Sequence, residues 1–139
     1  MNLQLRTTFV DSLNISKLDS LIEPRDGFDL NFGCAFSEQS NDSFQVFFNL
    51  NIEICAADSA IHEPTHTLEL KYTAIFDLDD EMTEEFRSGL FPKVNAPAIA
   101  YPFMRTFLSN TLLNAGFEPI MLPSVNFQAI ANENLKANK

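Results

Sequence analysis

Glycine and cysteine are scarce in this 139-residue sequence, which has four glycines, two cysteines and no tryptophan. So few glycines leave little material for a phosphate-cradling loop, and neither a P-loop nor a GxGxxG motif is present. Cys34 and Cys55 form no CxxC pair, and neither has a basic neighbour in sequence that would activate a thiolate. Two reduced cysteines in different predicted strands fit a cytoplasmic protein without redox function.

Positive charge is also scarce, with nine lysines and arginines against nineteen aspartates and glutamates, a net charge of −10. Binding to nucleic acid phosphates needs clustered cations, so this class of partner is excluded, whereas basic unfolded segments are favoured. No run of about twenty apolar residues is present to span a membrane. The first nine residues do not resemble a signal peptide. We expect one cytoplasmic domain over residues 1–139.

The acidic residues and histidines are the candidates for metal binding or catalysis, but their spacing in the sequence matches no known metal-binding or catalytic motif. The acidic run from Asp77 to Glu85 has neither EF-hand spacing nor its glycine, so a solvated turn is favoured, with Asp80 or Thr83 capping a short helix. His62 and His66 lie in a predicted turn, where zinc would need further ligands. A GxSxG nucleophile motif is absent. The sequence therefore predicts no enzyme, no metal and no cofactor.

Alternating apolar and polar residues predict three strands, at Phe28–Phe36, Phe44–Ile54 and Leu68–Phe76. One face of each is apolar and the other polar, which is typical of an antiparallel sheet covered on one side. A first strand is predicted at Leu3–Val10, with Leu3, Leu5, Thr7 and Phe9 on one face. The mixed segment from Asp11 to Asp26 is interpreted as a long crossover connection. A four-stranded meander or near-meander follows.

A long apolar helix is predicted after Asn95, because Ile99, Phe103, Phe107, Met104, Leu108 and Leu112 recur at spacings of three and four. Pro102 costs roughly 3 kcal/mol inside a helix, so this helix either begins near Tyr101 or kinks there. Gly116 suits a left-handed helix end, and Asn126 suits the N-cap of a last helix. The predicted fold is α+β: a four-stranded antiparallel sheet with two C-terminal helices packed on one face.

Fourteen phenylalanines and many aliphatic residues exceed what a two-layer core needs. Core packing together with a subunit interface is one explanation, and it predicts an oligomer. Apolar surface for non-native polypeptide is another, since unfolded chains share apolar side chains. A module that binds one folded partner or a small apolar ligand is a third. The candidate binding residues are Leu13, Ile15, Leu18, Leu21, Phe117, Ile120, Leu122, Val125, Phe127, Ile130 and Leu135.

The C-terminal part of the sequence carries an ordered set of matches: Ala98, Pro102 and Arg105, then Gly116, then Pro119, Leu122, Pro123, Val125, Asn126 and Phe127. In this order the residues resemble the carboxy-terminal half of the SecB family of export chaperones. The resemblance implies an ATP-independent holdase that assembles as a homotetramer, a dimer of dimers, through the first strand and the long helix. It also implies client grooves lined by the crossover loop and the second helix.

The same resemblance implies an acidic sheet surface and a polar tail that deliver preproteins to the SecA motor. Asp11 and Glu69 match acidic positions of that surface, but Ile15 and Thr67 stand at the positions of their usual companions. Only residues 128–139 follow Phe127, so we expect the motor-docking tail to be missing. Some SecB-like chaperones instead guard the antitoxin of a toxin–antitoxin–chaperone operon. We expect such a dedicated client, with general protein export through SecA as the alternative.

Overall fold

The computed structural model describes residues 3–19, 27–37 and 40–130. One antiparallel sheet contains four strands, which are β1 (Leu3–Lys17), β2 (Phe28–Phe36), β3 (Ser43–Ile54) and β4 (His66–Leu78). Their order across the sheet is β1-β4-β3-β2, so β2, β3 and β4 form a meander and β1 lies beside β4. The predicted antiparallel sheet and its crossover after the first strand are confirmed.

Two helices follow the sheet, the short α1 (Glu84–Ser88) and the long α2 (Ala96–Ala115), with a π-helical turn at Phe91–Asn95 directly before α2. Of the two alternatives predicted for Pro102, a helix start near Tyr101 is wrong, since α2 begins at Ala96 and continues through Pro102. Proline leaves the carbonyl four residues earlier without its helical partner. Both Pro102 and the residue at that position are exposed, so water can hydrate the freed group.

The predicted helix ends are confirmed at three positions. The Thr83 hydroxyl accepts a hydrogen bond from the Phe86 amide and caps α1. Gly116 ends α2 at φ 93°, a conformation that costs glycine little because it has no Cβ. Asn126 accepts from the Ala129 amide at 3.0 Å and caps a helical turn at 127–130. No helix of the described ranges has the length and apolarity that crossing a membrane requires.

The hydrophobic core lies between one face of the sheet and α2. Alternate residues of β3 and β4 meet the inner side of α2, where Met104, Leu108 and Leu112 are completely buried. Aromatic rings fill much of the space, with Phe44 stacked on Phe76 at 5.4 Å between ring centroids. The high phenylalanine content is therefore largely a property of the core.

Strand β1 is longer than the sequence predicts, because it continues beyond Val10 to Lys17. Two register shifts against β4, between Leu5 and Thr7 and between Val10 and Ser12, each insert one residue. Each bulge reverses which face the following residues occupy. Thr7 and Phe9 are consequently not on the covered face with Leu3 and Leu5, and the predicted crossover does not begin at Asp11.

The uncovered face of the sheet is mostly polar but carries two phenylalanines, Phe9 and Phe47, that the alternation did not reveal. Phe9, Thr73, Phe47 and Gly33 lie side by side across the four strands. A Cβ at Gly33 would lie 2.6 Å from the Phe47 ring, so the absent side chain makes room for that ring. The Thr73 hydroxyl in this row donates to the Asp11 carboxylate.

Candidate apolar binding groove

An open groove lies between the end of the sheet and the extended segment that follows α2. We define the apolar groove by Phe28 at the start of β2, Pro64 before β4, and Ile120 and Met121 on the extended segment. It encloses a volume of about 280 Å³, and Glu53 is the charged residue that lines it. This volume suits large apolar side chains of a bound polypeptide better than a whole small-molecule cofactor.

The extended segment 117–126, which we call the groove wall, owes its shape to its sequence. Gly116 ends the helix, and Pro119 and Pro123 prevent another helix from starting. Backbone hydrogen bonds then attach the start of the wall to the end of β3, from the Glu118 amide to the Cys55 carbonyl at 2.8 Å and from the Ala57 amide to the Gly116 carbonyl at 3.0 Å. The groove wall is thus fixed to the sheet at its beginning.

A second attachment holds the far end of the groove wall against α2. The Tyr101 hydroxyl donates to the Pro123 carbonyl at 2.7 Å, and burial raises the pKa of the Tyr101 phenol. Arg105 lies over the Tyr101 ring at 5.7 Å and partly offsets that rise. The groove wall is therefore attached to the rest of the fold near both of its ends.

The Cys55 thiol below the groove wall is unsuited to nucleophilic chemistry. Burial raises its pKa, and the negative charge of Glu118 raises it further, while Ser59 partly offsets both. Burial likewise raises the pKa of the Cys34 thiol, partly offset by Lys93. Both thiols therefore stay protonated near neutral pH, and a thiol is a far weaker nucleophile than a thiolate. Most of the side chains that line the groove are apolar.

The structure brings together part of the predicted binding set. Ile120 lines the groove, and Phe117 and Val125 of the groove wall are half-buried against the core. Ile130 is half-buried in the last described helical turn. Leu21 and Leu135 lie outside the described residues. The role of these residues in client binding stays a prediction.

Two predicted binding residues belong to the core instead. Leu122 is 1% exposed and Phe127 is 4% exposed, so neither is surplus to the two-layer core as the sequence analysis expected. The Phe127 ring packs edge-on against Phe32 at 4.7 Å and against Tyr101 at 5.4 Å. The groove wall packs on the sheet in addition to α2. The predicted two-layer core of sheet and helix did not include this segment.

The predicted residues of the crossover region do not lie together. Leu13 and Ile15 pair with Leu70 and Leu68 on the covered face of the sheet, where Leu13 remains 38% exposed at the edge. Leu18 instead contributes to a cavity of about 420 Å³ on the uncovered side, which Asp29, Glu53 and Glu69 also line. The bulges in β1 interrupt the alternation of apolar and polar residues. The sequence therefore did not show that Leu13 and Ile15 belong to a strand and Leu18 to the segment after it.

Met121 and Phe28 are groove residues that the sequence analysis missed. Met121 is 67% exposed beside the buried Leu122, and in an extended segment neighbouring side chains point to opposite sides. That alternation was the signal that could have identified it. Phe28 was assigned to the sheet core because it continues the apolar alternation of β2, although it stands at the strand end next to the groove.

Asp11 and Glu69, the acidic residues suggested by the resemblance, lie on the uncovered face of the sheet. Asp11 accepts a hydrogen bond from Thr73 of that face, and Glu69 is exposed on β4. Thr67 shares this face with Glu69, two residues along β4. Ile15 does not, because the second bulge of β1 turns it to the covered face opposite Leu68. Three of the four positions therefore share one surface.

The sequence of this chain matches a known protein family over most of its length. The family model described as preprotein translocase subunit SecB matches residues 11–138. That span is most of the sequence, and it contains the second part of β1, the strands β2 to β4, α2 and the groove wall. The fold is that of an export-chaperone family, and the chain belongs to the SecB family.

Individual relatives give the same family. The chain is 28% identical over 129 residues to a protein-export protein SecB of Anaplasma phagocytophilum, an alignment that covers 91% of this chain and 73% of that protein. It is 24% identical over 143 residues to a protein-export protein SecB of Rickettsia bellii, covering 99% of this chain and 91% of the relative.

A solved structure supports the fold. This chain is similar to a Mycobacterium tuberculosis SecB-like chaperone, solved in complex with a ChAD peptide from an antitoxin, with a TM-score of 0.61 and 18% identity. The match covers 88% of this chain and 90% of that one. At this identity the similarity shows a shared arrangement of sheet and helices.

Proposed function

We propose that this chain is an ATP-independent holdase that binds non-native polypeptide in the apolar groove. The observation that carries the proposal is the exposed Met121 beside Ile120 on a wall fixed at both ends. Exposed apolar side chains on a rigid scaffold bind whatever apolar segments a partner presents, without shape specificity. The chain belongs to the SecB family. The resemblance to that family implies a holdase for unfolded clients, which agrees with this chemistry.

The proposed client surface combines the groove with its half-buried neighbours. Phe117, Val125 and Ile130 extend the apolar surface along the wall towards the last helix. Methionine adapts its shape to different side chains, so Met121 suits a surface that accepts many sequences. Leu13 and Ile15 remain proposed contributors at the edge of the covered face, and Leu18 and Leu21 at the crossover.

Self-association is part of the proposal. One side of α2 exposes Ile99, Phe103 and Leu113, the last two at 51% and 63%. Among the described strands β1 pairs with β4 alone, so its other edge is open within that part of the chain. An apolar helix stripe and an unpaired strand edge are surfaces that proteins usually cover. We propose a homotetramer, a dimer of dimers. A monomeric mass by light scattering at micromolar concentration would contradict it.

The holdase activity is tested with an unrelated protein that aggregates when diluted from denaturant. We expect this chain to suppress light scattering at near-stoichiometric amounts without ATP. Met121→Asp should weaken suppression, whereas Leu90→Asp, an exposed leucine between α1 and the π-helical turn, should not. Undiminished aggregation with the wild-type chain would instead favour a module for one folded partner or a small apolar ligand.

The client itself is the finer part of the proposal. The similarity to a chaperone in complex with an antitoxin peptide favours a dedicated client such as an antitoxin. The relatives named protein-export protein SecB favour general export, and so does the shared surface of Asp11 and Glu69, which offers SecA an acidic face. We put the dedicated client first because, in the resemblance to the SecB family, Ile15 and Thr67 stand where the usual companions of Asp11 and Glu69 are expected.

Affinity capture from the native cell separates the two roles. Recovery of one small partner that is degraded when made alone supports the dedicated role. Recovery of many unfolded preproteins together with SecA supports export. A double substitution, Asp11→Asn with Glu69→Gln, should abolish SecA recovery in the export case and change nothing in the dedicated case.

A further inference from the structure

The groove wall is held by several hydrogen bonds at its beginning. The Glu118 amide donates to the Cys55 carbonyl at 2.8 Å, and a hydrogen bond of 2.7 Å joins the Glu118 carboxylate to His62 Nδ1. The Gly116 carbonyl accepts from the Ala57 amide. Because these partners belong to the segment that follows β3, the start of the wall lies at a fixed place beside the sheet.

Residues 119–125 of the wall have far fewer hydrogen bonds. Pro119 and Pro123 have no backbone N–H group to donate. Within the part of the chain that the structure describes, the Pro123 carbonyl is the one backbone group of this stretch with a hydrogen-bond partner. That partner is the Tyr101 hydroxyl of α2, at 2.7 Å. The other attachments that the structure describes for this stretch are apolar contacts with the core.

The ring of Tyr101 is itself fixed by its neighbours. Tyr101 is 3% exposed, and its ring packs edge-on against Phe127 at 5.4 Å between centroids. The Phe48 ring lies at 6.2 Å, and the Arg105 guanidinium lies over the Tyr101 ring at 5.7 Å. A side chain held by such packing presents its polar group at one place, which is the condition for a precise supporting contact. The Tyr101 hydroxyl is therefore a fixed donor on α2.

The hydrogen bond at Pro123 supplies what apolar packing of the wall lacks. Leu122, directly before Pro123, is 1% exposed, so it anchors the wall to the core. Apolar contact is non-directional, whereas a hydrogen bond requires a particular angle as well as a distance. Packing of Leu122 holds the stretch on the core without fixing its orientation. The bond to the next residue fixes the direction in which Ile120 and Met121 face.

We propose that Tyr101 is a positioning residue of the client site, whose hydroxyl holds the Pro123 carbonyl so that Ile120 and Met121 keep the arrangement that binds a client. The proposal rests on the proposed holdase function. Without the hydroxyl, residues 119–125 take up other positions as well, and the apparent affinity falls with the fraction of molecules in the binding arrangement. The net strength of one neutral hydrogen bond limits the effect, so we expect Tyr101→Phe to weaken client binding about 2- to 10-fold.

The fold should survive this substitution. Tyr101→Phe keeps the ring and its contacts with Phe127 and Phe48. Pro123 is exposed, so water can hydrate its carbonyl when the hydroxyl is absent. A water molecule at this place satisfies the carbonyl but does not attach the wall to α2. The substitution therefore separates the position of the wall from the integrity of the core.

The test measures two properties of the full-length protein. The first is affinity for a fluorescently labelled, reduced and carboxymethylated protein that stays unfolded. The second is NMR relaxation of isotope-labelled methyl groups at Ile120 and Leu122, which reports motion of the wall. Tyr101→Phe should weaken binding and increase the motion of both methyl groups. Replacement of Tyr101 by 4-aminophenylalanine, which keeps an N–H donor on the same ring, should restore both properties.

A control variant separates positioning from a general loss of stability. Thr83→Ala also removes one hydrogen bond, the cap to the Phe86 amide at 3.1 Å, but it does so at α1, at the opposite end of the sheet from the groove. It should lower the urea unfolding midpoint while leaving client affinity and the two methyl groups unchanged. Equal weakening of binding by both variants, or no recovery with 4-aminophenylalanine, overturns the positioning role.

The two measurements also distinguish failure of the positioning role from failure of the holdase function. If the wild type does not bind the unfolded protein, the proposed function is wrong, and methyl relaxation still decides whether Tyr101 holds the wall. If the wild type and folded Tyr101→Phe bind equally well with unchanged methyl motion, the function stands and the positioning role is wrong.

Discussion

Truncation of Met121 to alanine should weaken client binding without destabilising the fold. Full burial of a methionine side chain contributes about 1.5–3 kcal/mol. Because 67% of Met121 is exposed before a client binds, the client can bury only that part. The expected loss is about 1–2 kcal/mol, which corresponds to about 5- to 30-fold weaker binding.

Fluorescence anisotropy with a permanently unfolded labelled protein measures this loss, and urea unfolding monitors stability. Met121 is exposed beside the core, so the free energy of unfolding should change by no more than about 0.5 kcal/mol. Leu90→Ala is the matched control, since Leu90 is also exposed but follows α1 at the opposite end of the sheet. Equal affinities for wild type and Met121→Ala would refute the assignment of the groove.

Three further changes test the packing and electrostatics. Leu108→Ala removes a completely buried side chain of α2 and should lower the free energy of unfolding by about 2.5–5 kcal/mol, measured by urea denaturation. Asn126→Ala removes the cap to the Ala129 amide and should cost about 0.5–2 kcal/mol, seen as faster amide exchange at 127–130. Burial raises the pKa of Cys55 and Tyr101, so unfolded chains ionise first and stability should fall as pH rises above about 8.5.

Strict alternation made most of the sheet predictable. Strands β2, β3 and β4 lie within two residues of the predicted bounds, because one covered face imposes a period of two. The same rule failed in β1, where bulges near Leu5 and Val10 shift the register twice. A bulge inserts a residue without a reliable sequence signature, so the strand resembled a loop.

The end of α2 and the cap of the last helical turn were predictable because a local interaction determines each, whereas the beginning of α2 was left open between a start near Tyr101 and a kink there. Gly116 and Asn126 act through their own backbone and side chain, and both were identified. The start at Ala96 depends on the π-helical turn before it and on tertiary packing, which override the preference of Pro102. The free-energy cost of a proline in a helix ends that helix only where tertiary packing of the helix does not offset the cost.

The location of the candidate site was predictable from the sequence, but the identity of the residues that line it was not. Apolar residues after Gly116 indicated a surface beyond the two-layer core, and Ile120 lines the groove. Which side chains remain open depends on how the wall packs, and this buries Leu122 and exposes Met121. The contact of His62 with Glu118 joins residues far apart in sequence, so periodicity could not reveal it.

The most direct test of the central claim is site-specific photo-crosslinking from the groove. A photoreactive residue is placed at Met121, and in a second protein at Leu90, and each is irradiated with the unfolded labelled protein. Holdase binding in the groove predicts a strong crosslink from position 121 and little from position 90. No crosslink from position 121, or equal crosslinks from both positions, would contradict it.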